Sequence, residues 1–145
     1  MPKNLVQERQ QRLIDDYAKL PSWEDRYKRL IDRGKQLAEM PKEFYDEKFK
    51  VRGCQSQVWL HAELTPEKQI RFYGDSDALI VKGLVALLID VYSNATPEDI
   101  LGADSQFLKN LGFEGHLSPS RANGLYAMLK QILLYATAFQ ALARA

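Results

Sequence analysis

An α+β fold, with a small antiparallel sheet packed against several helices, is predicted by three features of the sequence. Period-two alternation is confined to residues 57–73, helical-period apolar stripes lie on both sides of it, and the regular strand–helix alternation of a parallel sheet is missing. Val6, Leu13, Tyr17 and Leu20 recur near the helical repeat and Pro21 ends the pattern, which gives a first amphipathic helix over about 4–19. Ser22 sits in an N-cap position with Asp25 in the first turn. Trp23, Tyr27, Leu30, Ile31 and Leu37 then carry a second helix to about Gly34 or Leu37. After Pro41 the segment K-E-F-Y-D-E-K-F-K is polar and irregular, a loop with an edge strand at Phe49 to Val51.

From Gln57, Val58, Leu60, Ala62 and Leu64 alternate with Gln57, Trp59, His61 and Glu63, the pattern of a half-buried strand. Thr65 to Lys68 make a turn, and Ile70 and Phe72 alternate with Arg71 and Tyr73 until Gly74 ends the run. The two strands form a hairpin. Asp75 or Ser76 is placed to cap the next helix, Ala78 to Tyr92, which is apolar on most faces and should lie at the centre, with Gly83 allowing close packing. Thr96-Pro97-Glu98-Asp99 opens a short helix that ends near Gly102, and a further one spans Ser105 to Leu111 before Gly112. Ser118-Pro119 repeats the cap-then-proline device. It opens a long final helix to about 142, striped with Leu125, Met128, Leu129, Ile132 and Phe139.

With 46% apolar and 27% charged residues, residues 1–145 read as one globular domain; at this length about 68% of the unfolded surface can be buried, so no disulfide or structural metal is needed. The single cysteine excludes an internal disulfide. Twenty Lys and Arg against nineteen Asp and Glu leave a net charge of +1, which argues against a nucleic-acid or membrane partner. The first residues are charged and amide-rich where a signal peptide needs an apolar run. The run Leu79 to Ile89, interrupted by Lys82 and Gly83, is about half the roughly 20 residues that cross a bilayer. A cytoplasmic protein with a free thiol is expected. Between Arg26 and Arg52 nine basic residues face five acidic ones, so the approach to Cys54 is locally positive.

Several chemistries lack their residues. No phosphate-binding or dinucleotide glycine pattern is present, two histidines and one cysteine cannot build a usual tetrahedral zinc site, and one thiolate cannot hold an iron–sulfur cluster. No cofactor is expected. What remains is Val51 to Leu60, V-R-G-C-Q-S-Q-V-W-L, with Cys54 at a loop tip just before the first strand. Gly53 lets the backbone bend, Gln55 and Ser56 offer dipoles, and Arg52 is placed to favour the thiolate, the nucleophilic form. Without a second cysteine, dithiol exchange is excluded. A persulfide formed on Cys54 would be safe from a neighbouring thiol, which would close a disulfide and expel the cargo as sulfide.

This decapeptide resembles the cysteine-loop motif of the SufE family of sulfur-acceptor proteins, which includes a CsdE branch. D-S-D-A-L-I-V-K-G-L-V-A-L-L at 75–88, H-L-S-P-S-R-A-N-G-L at 116–125 and the opening Trp23-Glu24 resemble family motifs in the family's order. The resemblance implies a fold similar to that of U-type iron–sulfur scaffolds, with the acceptor cysteine on a loop that can bury its side chain. It further implies that Cys54 accepts persulfide sulfur from a pyridoxal-phosphate cysteine desulfurase of SufS or CsdA type and stimulates that enzyme. The sulfur then passes to an iron–sulfur scaffold or, in the CsdE branch, to another acceptor.

Asp75 and Asp77 read as helix caps placed near the cysteine loop. Arg121 is a candidate for supporting that loop or meeting the desulfurase, although a first-turn arginine opposes the helix dipole. Trp59 is expected to pack on the sheet face behind the cysteine, and His61 and His116 to be packing or partner-surface residues. Two rivals stay open. A stand-alone cysteine enzyme needs a base near the thiol, and His61 is roughly 20 Å along an extended chain; a purely regulatory module would bind the desulfurase without carrying sulfur.

Overall fold

The computed structural model describes residues 4–104, 106–113 and 115–144. The order is α1 (Leu5–Ala18), α2 (Trp23–Lys35), β1 (Val58–Leu64), β2 (Ile70–Ser76), α3 (Leu79–Tyr92), α4 (Pro97–Gly102), α5 (Phe107–Leu111) and α6 (Pro119–Arg144). The fold is α+β, with one antiparallel hairpin among the described residues. Asn4, Ser22 and Thr96 cap their helices by accepting the N–H groups of Gln7, Asp25 and Asp99, satisfying donors that a helix start leaves unpaired. Leu37 lies beyond the end of α2 yet still packs against the core. The expected start of α5 at Ser105 lies outside the described residues.

Helix α3 is the centre of the core, with Leu84, Val85, Leu87 and Leu88 all at 1% exposure or less. Its inward faces are shared by α2, β2 and α6. The approach of α2 is backbone to backbone: a Cβ on Gly83 would stand 2.3 Å from the Leu30 carbonyl oxygen. A glycine in mid-helix costs about 1 kcal/mol relative to alanine, and here the close helix pair offsets it. The hairpin pairs Val58 with Ser76 and Leu64 with Ile70. Helix α6 is tied to β1 by the Tyr135 hydroxyl, which donates to the Leu60 carbonyl at 2.9 Å.

Two local expectations are corrected. Strand β2 does not end at Gly74 but continues to Ser76. A Cβ at Gly74 would lie 2.8 Å from a Val85 methyl, so the glycine serves helix-on-sheet packing instead of a turn. The edge strand expected at Phe49 to Val51 shrinks to one bridge between Lys50 and Trp59, beside a 2.8 Å bond from the Val51 N–H to the Val58 carbonyl. The residues before it form two 3₁₀ turns, Lys42–Phe44 and Glu47–Phe49. Their phenylalanine rings lie 4.0 and 4.5 Å from the His61 ring and pin the segment onto β1 through side chains, where a strand would use its backbone.

Candidate functional site: the cysteine cleft

The loop bearing Cys54 is held by its backbone at its two ends. On the entering side stand the Lys50–Trp59 bridge and the Val51–Val58 bond. On the leaving side, the Gln57 N–H donates to Asp77 Oδ1 at 3.1 Å and the Asp77 N–H donates back to the Gln57 carbonyl at 3.3 Å. Residues 52 and 53 make a turn, and among the described residues no backbone hydrogen bond ties residues 52–56 to another element. Gly53 has φ +90°, a conformation that glycine reaches without the strain an L side chain would incur. A short tether fixed at both ends, with its backbone tied to no other element between them, can move at its tip without unfolding its neighbours.

The one tie at the tip belongs to the cysteine. The Cys54 thiol is half-buried and donates to the Gly124 carbonyl of α6 with Sγ and O 3.7 Å apart, a weak sulfur hydrogen bond. Beside it opens a cleft of about 310 Å³, lined by Cys54, Gln55 and Ser56 from the loop, Val81 from α3, and Ser118, Ser120, Arg121, Gly124 and Met128 from the start of α6. Burial raises the Cys54 thiol above its ordinary value. The resting state therefore favours the protonated form, which is the poorer nucleophile.

The expected sites are distributed unevenly. Gln55, Ser56 and Arg121 share the cleft with Cys54, so the loop and the block at residues 118–124 meet across it. Arg121 also fits the start of α6, where its N–H donates to the Ser118 hydroxyl at 3.3 Å. Arg52 and Gly53 are exposed on the loop.

Asp75 and Asp77 do not cap α3, whose N-cap Ala78 has no side-chain cap bond. Asp75 lies within β2, which runs on to Ser76, and Asp77 follows the strand. Asp75 instead accepts the Tyr45 hydroxyl and lies 3.4 Å from Lys82 Nζ, while Asp77 anchors Gln57. Desolvation, with the bond to Asp75 and its charge, pushes the Tyr45 hydroxyl up to about 12.

Trp59 packs edge-on against Tyr45, 5.1 Å between ring centroids, with Lys50 Nζ 5.8 Å above its ring, so it braces the entering side of the loop. His61 is a packing residue against Phe44 and Phe49. His116 stacks on Trp23 at 3.8 Å and tethers the segment that leads into α6.

Sequence reasoning missed Val81, Ser120, Gly124 and Met128 as cleft residues. Gly124 had a signal: glycine inside a long helix costs about 1 kcal/mol relative to alanine and calls for a reason. The reason here is the thiol, since a Cβ on Gly124 would meet Cys54 Sγ at 3.3 Å and Cys54 Cβ at 3.9 Å. Among the described residues, no group of three or more His, Cys, Asp or Glu side chains is placed to hold a metal ion, and no helix is long and apolar enough to cross a membrane.

The fold and this cleft define a small α+β protein built around one sheltered thiol on an anchored loop. The chain belongs to the SufE family: residues 11–136 match the model of the SufE Fe-S metabolism associated domain. An uncharacterised SufE-like protein of Rhizobium meliloti (strain 1021) is 42% identical over 124 residues, covering 83% of this chain and 89% of that protein. The solution structure of a hypothetical protein from Thermus thermophilus superposes with a TM-score of 0.77 over 92% of this chain and 96% of its own. At 23% identity it speaks for the fold alone. Membership ties the protein to iron–sulfur metabolism and to a family of sulfur acceptors.

Proposed function

We propose that the protein, as one sulfur-acceptor domain over residues 1–145, takes sulfane sulfur from a cytoplasmic pyridoxal-phosphate cysteine desulfurase onto Cys54 and delivers it to an iron–sulfur scaffold. The observation that carries this reading is the solitary thiol at the edge of the cleft, on a loop pinned at both ends whose backbone is tied to no other element between them. Cys54 loses its proton and the thiolate attacks the outer sulfur of the donor persulfide. The donor's S–S bond breaks, a new one forms on Cys54, and the donor leaves as a thiolate that takes up a proton. No external oxidant or reductant is consumed.

Burial gives the resting thiol a reason to be slow. The same shelter that keeps it protonated limits its oxidation, so transfer requires the tip to turn outward about Gly53 when the donor docks. Once loaded, a lone cysteine has no neighbour in its own chain to expel the cargo. The test is desulfurase turnover with cysteine and reductant. The wild-type protein raises the rate; Cys54→Ser, nearly isosteric, binds the enzyme and leaves the rate at its basal level. Equal stimulation by both proteins contradicts the proposal.

A further inference from the structure

We propose that Gly124 is a positioning residue for Cys54: its bare backbone is the seat that holds the cysteine retracted, and a side chain at this position turns the loop tip outward. The inference deepens the sulfur-acceptor reading, on which its purpose rests.

Helix α6 runs 26 residues, and a glycine within it weakens the helix relative to alanine. Its backbone is helical, so no unusual dihedral demands glycine, and Gly124 is buried. What its missing side chain makes room for is narrow. Outside its own stretch of helix, the heavy atoms within 4 Å of a Cβ placed there are Sγ and Cβ of Cys54. The same residue supplies the carbonyl that accepts the thiol proton, so the two points of the seat, space and acceptor, come from one backbone unit.

A methyl group at this point lies 3.3 Å from Sγ, tighter than ordinary van der Waals contact, and one side has to give. Helix α6 is anchored along the core by Leu125, Met128, Leu129 and Ile132. Among the described residues the backbone of the loop tip makes no hydrogen bond to another element, so it is the loop that yields. The thiol then leaves the α6 backbone for solvent. Arg121 is the charged group lining the cleft and Arg52 the one exposed on the loop; neither is removed by the substitution.

The test compares wild type with Gly124→Ala for alkylation of Cys54 by iodoacetamide across pH, with no desulfurase present, so its outcome is independent of whether the protein carries sulfur. The expected result is a lower midpoint and faster labelling of the variant, by about tenfold at a fixed pH below the midpoint for each pH unit the midpoint moves. A stability cycle with Cys54→Ala separates the seat from general helix effects: Gly124→Ala raises the melting temperature more in the Cys54→Ala background than in wild type. Should Gly124→Ala fail to fold, folding of the double variant supports the seat, and failure of both overturns it. Unchanged labelling with equal stability effects in the two backgrounds also overturns it.

Discussion

Asp77 and Gln57 hold each other by three bonds: Asp77 Oδ1 accepts the Gln57 N–H at 3.1 Å, Asp77 Oδ2 accepts from Gln57 Nε2 at 3.4 Å, and the Asp77 N–H donates to the Gln57 carbonyl at 3.3 Å. The pair fastens the end of the cysteine loop to the junction between β2 and α3. Residue 77 is thereby a loop anchor, and Cys54 is positioned from the sheet side as well as by α6.

Replacing Asp77 by alanine removes the acceptor. At this exposed position the cost is about 1 kcal/mol in denaturant unfolding. The sharper signature is local: hydrogen exchange at the Gln57 amide accelerates while amides in the middle of α3 keep their protection. Asp77→Asn retains an Oδ1 acceptor and preserves most of that protection.

Gly83→Ala brings a Cβ to 2.3 Å from the Leu30 carbonyl oxygen, a contact that forces α2 and α3 apart. Overpacking of this kind costs about 1–3 kcal/mol. Urea unfolding of the variant shows a loss in that range; an unchanged midpoint contradicts the close helix pair.

These two sites illustrate how legible the fold is in the sequence. Caps, stops and periods lie within a few residues of one another in the chain, so Asn4, Ser22 and Thr96 start helices and Val58 to Leu64 forms the first strand, as their neighbours dictate. Gly74 and the pair Asp75 and Asp77 mislead a sequence reading because their local roles, turn and cap, are the common ones, whereas their partners Val85, Tyr45 and Gln57 are long-range. The 3₁₀ turns before the loop depend on Phe44 and Phe49 reaching His61, which no periodicity records. The cysteine loop is legible as a motif. Its meeting with Ser120, Arg121 and Gly124 is a product of the fold, although all three lie inside a recognised block.

The pH dependence of Cys54 has a definite sign. Burial raises its folded-state value, so the folded chain holds the thiol proton more tightly than the unfolded chain. The stabilisation is fully present below the unfolded thiol's value and is lost as pH rises through the folded one. Stability measured from neutral to alkaline pH therefore falls more for wild type than for Cys54→Ala. In native protein the alkylation midpoint lies above that of the urea-unfolded chain.

The most direct measurement is the intact mass of the protein after mixing with a cognate cysteine desulfurase and free cysteine, without reductant. Wild-type chain gains one sulfur atom, which maps to the Cys54 peptide and is released by dithiothreitol, while Cys54→Ser gains none. A wild-type mass that stays unchanged while the desulfurase is accelerated, or sulfur gained equally by Cys54→Ser, contradicts the account.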